Sequence, residues 1–105
     1  MTDGGMGMTH RAIVEFRIRA DRHDEAKPVF AAMLDTSRAF EGCLRLDWLV
    51  DRDDPTLWLL YEEWSSWDAE QAYRDFRMSP AGAVPGLAGL LDGRPRLVRL
   101  EPVAF

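Results

Sequence analysis

The fold is decided by residues 43–64, which read CLRLDWLVDRDDPTLWLLYEEW. Large apolar side chains recur at every second position in two runs, residues 43–52 and 56–64, and this period predicts two β-strands. In the first run, one face of the strand carries Leu44, Leu46, Trp48 and Val50. Between the runs stands Asp53-Asp54-Pro55, a typical turn sequence. Because the connection is short, the two strands are predicted to pair as an antiparallel hairpin.

The segment before the hairpin contains another strand and a helix. Residues 11–19 alternate, and their apolar face carries Ala12, Val14, Phe16 and Ile18. Residues 26–40 change to a spacing of three and four, which is typical of a helix with one buried face. Pro28 is tolerated only in the first turn, so the helix is predicted to begin near residues 24–27.

The segment after the hairpin contains a second helix and a last strand. Ser65 or Ser66 can cap the helix. Its predicted inner face carries Ala69, Ala72, Tyr73 and Phe76. Ser79-Pro80 predicts the start of a short extra helix, and prolines and glycines make residues 81–91 irregular. Residues 94–101 are predicted to form the last strand.

The order β-α-β-β-α-β predicts a ferredoxin-like α+β fold, with a four-stranded antiparallel sheet and both helices on one face. We predict a flexible N-terminal tail over residues 1–10 and a single domain over residues 11–105. Of the residues, 47% are apolar and 30% are charged, so the chain is globular rather than disordered.

The predicted third strand is apolar on both faces, which indicates a partner subunit. One face carries Leu57, Leu59 and Tyr61, and the other carries Trp58, Leu60 and Trp64. Two helices cover only one face, and an apolar face left open marks an interaction surface. Covering by residues 102–105 is the alternative, but four residues are too few. A second copy of the chain is therefore the expected cover, and we predict a homodimer through this face.

Charge and cysteine content exclude several classes of function. The formal net charge is −5 and no basic stripe is present, so we predict no nucleic-acid partner. A single cysteine, Cys43, excludes an internal disulfide and a multi-cysteine metal site. No apolar run approaches the ~20 residues of a membrane span, and the first residues lack the features of a signal peptide. We predict a cytoplasmic protein with no membrane partner and no metal.

Several short motifs resemble the antibiotic biosynthesis monooxygenase (ABM) family over about residues 12–100. They are Glu41-Gly42-Cys43-Leu44, Asp53-Asp54-Pro55, Leu60-Tyr61-Glu62-Glu63-Trp64, Glu70-Gln71-Ala72-Tyr73 and Ser79-Pro80. The resemblance implies the dimeric α+β barrel, in which two sheets pack face to face. Members include quinol monooxygenases, haem-degrading enzymes and small oxygenases that turn anthrones into quinones in polyketide pathways. The stretch from Glu70 to Arg74 is most similar to the polyketide oxygenases.

This resemblance implies that Tyr73 and Trp64 are catalytic residues. The implied substrate-binding residues surround them and are Val14, Phe16, Trp58, Leu60, Glu62 and Phe76. Two features depart from the polyketide oxygenases: Leu60 stands where they carry Asn, and residues 81–91 offer no match to their pocket arginine. The Asn and His that the haem-degrading branch requires are also absent, so we predict no haem and no other cofactor.

Oxygenation without a cofactor requires an electron-rich substrate, such as a phenolate or an enolate, held in a dry and oriented site. A phenol is a poor general base at neutral pH, so Tyr73 is expected to donate a hydrogen bond to the substrate. Glu62 is predicted on the helix-facing side of its strand, where a salt bridge to an arginine is favoured over a role as a base.

The sequence thus predicts a cofactor-independent monooxygenase that acts on an aromatic, polyketide-like quinol or anthrone, with molecular oxygen as the second substrate. Two alternatives remain open. The first is a cyclase or isomerase of a polyketide intermediate on the same fold, which would use Glu62 or another carboxylate as a base. The second is a dimer that binds a small molecule without catalysis.

Overall fold

The computed structural model describes residues 9–104. Its elements follow the chain as β1 (His10–Arg17), a 3-10 turn (Ala20–Arg22), α1 (His23–Ala39), β2 (Cys43–Val50), β3 (Leu57–Trp64), α2 (Trp67–Met78), α3 (Leu87–Leu90) and β4 (Arg96–Leu100). The predicted β-α-β-β-α-β order is confirmed, with one short helical turn added before β4. Most of the predicted tail lies outside the described residues, and His10, its last residue, already belongs to β1.

The four strands form one sheet in the order β2-β3-β1-β4, and all neighbours are antiparallel. The register sets Leu60 of β3 between Val14 of β1 and Trp48 of β2. These three side chains point to the same face, where Phe30 and Leu34 of α1 join them in the core. The predicted ferredoxin-like α+β fold is therefore confirmed.

An aromatic cluster joins α1 to the sheet. The ring of Phe30 lies 5.0 Å from the rings of both Phe16 and Trp58, in edge-to-face geometry. Trp48 packs on Trp58 at 4.8 Å. Each such ring buries a large apolar area, so this cluster dominates the core. The indole N–H of Trp58 donates to the Pro55 carbonyl at 3.0 Å, which fixes the hairpin turn to the core.

The predicted inner face of β2 is wrong at Leu44. A β-bulge shifts the register between Cys43 and Arg45, and it leaves Leu44 58% exposed, whereas Leu46 is 3% exposed. A bulge adds a residue to one strand and turns its side chain out of the alternation. The pattern of alternating leucines could not reveal this extra residue.

The predicted inner face of α2 is also wrong in part. Ala72 is exposed, whereas Glu70 and Tyr73 are buried. The helix is rotated because the strands beneath it offer ionic partners, Glu62 of β3 and Arg99 of β4, to side chains of α2. A charged stripe, rather than an alanine stripe, therefore faces the sheet.

The segment between α2 and β4 differs from the prediction as well. Ser79 and Pro80 lie in a turn, and the short helix begins only at Leu87. Gly86, with φ of 82°, precedes it in a left-handed conformation that glycine adopts without strain. β4 begins at Arg96, two residues later than expected.

Gly42 holds the α1–β2 connection against α2, which predicts a strong effect of Gly42→Ala. The residue has φ of +91°, and an added Cβ would lie 2.6 Å from the Ala69 Cβ. We expect Gly42→Ala to lower the free energy of unfolding by about 2 kcal/mol, measured by urea denaturation. Gly89→Ala is the control, since an added Cβ there meets no atom within 4 Å and stability should be unchanged or slightly raised.

Candidate functional site

A cavity of about 310 Å³ lies between the inner face of the sheet, the two long helices and the segment that leads to β4. This volume is at the lower end of the range for small-ligand pockets, roughly 300–1,000 Å³. Its wall is mainly apolar, with four polar side chains, and is formed by Val14, Phe16, Met33, Leu60, Glu62, Tyr73, Arg74, Arg77, Met78, Gly82, Val84, Leu87, Pro95 and Leu97. It is the candidate functional site.

The structure brings together part of the predicted site. The cavity wall includes Val14, Phe16, Leu60, Glu62 and Tyr73. Trp64, Trp58 and Phe76 are not in that wall. Trp58 belongs to the core beneath Phe30. Phe76 lines a separate groove of about 450 Å³ between α1 and residues 81–85.

Trp64 lies behind Tyr73 and supports it. Its side chain is fully buried, and the two ring centroids are 4.8 Å apart. The indole N–H of Trp64 donates to a carboxylate oxygen of Glu62 at 2.9 Å. A buried indole needs such an acceptor. This placement allows Trp64 to orient two cavity residues without lining the cavity.

The Tyr73 hydroxyl is held by two neighbours. It lies 2.6 Å from Ser37 Oγ of α1, a pair in which either oxygen can donate, and it accepts a hydrogen bond from Arg77 Nε at 2.9 Å. Ser37 is 1% exposed and Tyr73 is 3% exposed. The phenol oxygen is thus fixed in position by these two bonds, and Tyr73 forms part of the cavity wall.

Arg77 connects α2 to α1 and to the following turn. Its guanidinium donates to the backbone carbonyls of Met33 and Gly82, each at 3.1 Å, and to Ser37 Oγ at 2.8 Å. Together with Tyr73 these partners are all uncharged. Within residues 9–104, no carboxylate lies within salt-bridge distance of Arg77.

Glu62 is engaged by partners on both sides. Arg74 Nη2 donates to its Oε1 at 2.7 Å, and the same oxygen accepts from the Trp64 indole. The predicted salt bridge to an arginine is confirmed. Glu62 Oε1 thus already accepts two hydrogen bonds, and the carboxylate is held by these partners rather than left free at the cavity wall.

Glu70 is the hub of the same ionic network, and it is completely buried. It accepts from His10 Nε2 and Arg99 Nε at 2.9 and 2.8 Å, and it also pairs with Arg74. Burial alone would raise the pKa of Glu70, but the hydrogen bond from Arg99 and the charge of Arg74 outweigh burial and lower it. In turn, the hydrogen bond to Glu70 raises the pKa of Arg99.

Sequence reasoning missed both arginines of the site and two polar residues that support it. Arg74 and Arg77 line the cavity, whereas Ser37 and Glu70 support it from behind. A signal was present in the sequence: Glu70, Tyr73, Arg74 and Arg77 follow the i, i+3, i+4, i+7 spacing of a helix face. Charged residues are usually exposed, so the pattern favoured the neighbouring alanines, Ala69 and Ala72, as the buried face of α2.

The family model for antibiotic biosynthesis monooxygenase matches residues 9–82. The chain belongs to the ABM family. The match spans β1 to the turn after α2 and includes most of the cavity wall. A comparison with the curated proteins finds no match.

Several solved structures share the fold of this chain. An antibiotic biosynthesis monooxygenase superimposes with a TM-score of 0.78 at 21% identity, over 90% of this chain and 99% of that one. Rv0793 from Mycobacterium tuberculosis gives 0.73 at 24% identity, over 92% and 97%. PA3566 from Pseudomonas aeruginosa gives 0.77 at 22% identity, over 94% and 98%. None of the helices within residues 9–104 has the length and apolar character needed to cross a membrane.

The lowered pKa of Glu70 predicts a specific loss of stability in acid. A carboxylate with a folded-state pKa below its ordinary value of 4.5 stabilises the protein above that pH, and the contribution disappears as the pH falls through the folded-state pKa. We expect Glu70→Gln to lower the free energy of unfolding by about 2 kcal/mol at pH 7, with a smaller difference from wild type at pH 3.

Urea denaturation at both pH values measures this effect. The control is Glu25→Gln, which removes an exposed pair with Arg22 and should change stability by less than about 0.5 kcal/mol. An equal loss for Glu70→Gln at pH 7 and pH 3 would show that the charge of Glu70 does not contribute.

Proposed function

We propose that this protein is a cofactor-independent monooxygenase that oxidises an aromatic, polyketide-like quinol or anthrone with molecular oxygen. The observation that carries the proposal is the largely apolar cavity with the fixed Tyr73 hydroxyl at its wall. Membership of the ABM family supports the reaction class. A cytoplasmic location belongs to the same proposal, since the single cysteine suits a reducing compartment.

The chemistry balances without a cofactor when the substrate is electron-rich. An anthrone loses a proton to water and becomes an enolate, which passes one electron to oxygen. The two radicals combine into a carbon–oxygen bond, and the resulting peroxide loses water to leave a carbonyl group. One oxygen atom enters the quinone and the other leaves as water. The protein has to bind, orient and desolvate the enolate and stabilise its negative oxygen.

In this proposal Tyr73 donates to the substrate oxygen and Trp64 holds Tyr73 in place. Val14, Phe16 and Leu60 would contact the substrate rings, because they supply apolar wall on the sheet side. Trp58 and Phe76 lie outside the cavity wall, so in this proposal they support the site without contacting the substrate. The cyclase or isomerase alternative needs a free base, and the pairing of Glu62 with Arg74 and Trp64 weighs against it.

We also propose that the protein acts as a homodimer through the sheet face opposite the helices. Strand register places Leu59 on this face between Glu15 of β1 and Leu49 of β2. Leu49 is 49% exposed, although it is a large apolar side chain. The same face carries Ile13, Tyr61, Val98 and Leu100. A second copy would remove these side chains from water.

Oxygen consumption tests the proposed reaction. We expect the wild-type protein to consume one oxygen molecule per anthrone converted to anthraquinone, followed with an oxygen electrode and by quinone absorbance. Tyr73→Phe removes one hydrogen-bond donor and should lower kcat/KM by about 100-fold. Trp64→Phe keeps the ring but loses the bond to Glu62, so a smaller loss of about tenfold is expected.

Trp67→Phe is the matched control, because Trp67 is 51% exposed and lies outside the cavity wall, and this variant should retain full activity. The absence of enzyme-dependent oxygen uptake across a panel of anthrones and quinols would reject the oxygenase proposal. Full activity in Tyr73→Phe would show that the Tyr73 hydroxyl does not contribute to the reaction.

Sedimentation velocity tests the dimer. We expect the wild-type protein to sediment as a dimer and Leu59→Glu to weaken association at least tenfold, because the new carboxylate would lie at the centre of the apolar face beside Glu15. Val103→Glu is the control, since Val103 is 71% exposed and lies beyond β4. A wild-type protein that stays monomeric at high concentration would contradict this proposal.

A further inference from the structure

We infer that Tyr73 and Arg77 of the cavity wall, with Ser37 behind them, form an anion-binding site, where Arg77 and Ser37 position the Tyr73 hydroxyl to donate to the ionised oxygen of a phenolate or enolate. The inference rests on the proposed function and specifies the charge state in which the substrate is bound. It also assigns positioning roles to Ser37 and Arg77.

The charge of Arg77 lacks a counter-ion in the part of the chain that the structure describes. Its partners are the Tyr73 hydroxyl at 2.9 Å, the Ser37 hydroxyl at 2.8 Å and two backbone carbonyls, all of them neutral. The other guanidinium of the cavity, Arg74, pairs with two carboxylates, Glu62 and Glu70. Arg77 therefore leaves a net positive charge at the cavity wall, and an anionic ligand would neutralise it.

The hydrogen bonds around Tyr73 leave a donor for a ligand. Arg77 Nε donates to the Tyr73 oxygen, and Arg77 Nη2 donates to Ser37 Oγ. When Ser37 directs its own proton to Tyr73 across the 2.6 Å contact, both lone pairs of the phenol oxygen are occupied. The phenol proton is then free to point into the cavity. An anion accepts hydrogen bonds but donates none, so its binding selects this arrangement.

The surroundings of Tyr73 strengthen that donor. A hydroxyl that accepts a bond from a charged group becomes a better donor, and the effect is larger in a dry site than in water. The guanidinium carbons of Arg74 and Arg77 lie 5.2 and 5.3 Å from the centre of the Tyr73 ring. Arg74 is paired with Glu62 and Glu70, so it is the charge of Arg77 that favours the ionised form of a ligand over the neutral form.

A pair of dyes tests the site without turnover. We would titrate the protein with 1,2-dihydroxyanthraquinone, which forms a phenolate near neutral pH, and with its 2-O-methyl ether, whose blocked oxygen cannot ionise. Both are already oxidised at the carbon where oxygen would be inserted, so binding consumes no oxygen. Visible absorbance reports the ionisation of the bound phenol, and tryptophan fluorescence reports occupancy.

We expect the wild-type protein to bind the phenolate at least about tenfold more tightly than the ether, because the anion gains a charge-assisted hydrogen bond. The bound phenol should ionise at a pH at least about one unit lower than in solution. Tyr73→Phe, Ser37→Ala and Arg77→Met should each reduce both effects, and Arg77→Lys should restore part of them. Arg52→Met is the control, since Arg52 is an exposed turn residue.

Arg77→Met removes bonds to α1 and to Gly82, so circular dichroism must show that it folds. Tyr73→Phe removes only a hydroxyl, and the comparison of the two dyes on the wild-type protein needs no variant, so the test stands whichever variants fold.

Equal binding of the two dyes, no binding of either, or an unchanged preference in Tyr73→Phe would overturn the anion site. Oxygen uptake is measured separately. If the protein consumes oxygen but binds the two dyes equally, the anion site is rejected and the proposed oxygenase reaction stands. If it prefers the phenolate dye but consumes no oxygen, the oxygenase reaction is rejected and the anion site stands.

Discussion

The buried ion pairs between the sheet and α2 are the constraint on which the site depends. Glu62 and Glu70 are both almost completely removed from water. An unpaired carboxylate in such a place is strongly unfavourable, so each must have a cation nearby. Arg74 lies between the two carboxylates, and Arg99 reaches Glu70 from β4. These pairs define which side of α2 faces the sheet, and with it the direction in which the neighbouring side chains point.

The rotation of α2 places Tyr73 and Arg77 against α1. Once Glu70 and Arg74 face the sheet, the next turn of the helix presents Arg77 to Ser37 and to the Met33 carbonyl. The guanidinium is rigid and has its donors in a fixed fork, so it holds two helices and one turn in a single geometry. The cavity wall beside Tyr73 is therefore built from the same contacts that join the helices, and its shape is coupled to the packing of the domain.

Much of the fold was predictable because strands and helices leave different periods in the sequence. The alternation of Val14 and Phe16, and of Trp58 and Leu60, reports directly on one-sided burial. The bulge at Leu44 was not predictable, since an extra residue in a strand looks like ordinary sequence. For the cavity, the strand pattern and the family resemblance led to Val14, Phe16, Leu60 and Tyr73, but not to the apolar wall supplied by α1 and by the segment before β4. They did not lead to the role of Arg77 either, because two of its partners are backbone carbonyls that every residue carries.

The architecture around the cavity and the charges that line it have different origins. Solved structures with low identity to this chain keep the architecture of a sheet with helices. The charge distribution around the cavity is set by the side chains. Among residues 9–104, the carboxylates of Glu62 and Glu70 are paired with Arg74 or Arg99, whereas the partners of the Arg77 charge are neutral oxygens. An electron-rich anion is the reactant that oxygenation without a cofactor demands, and it is also the ligand that best complements such a wall.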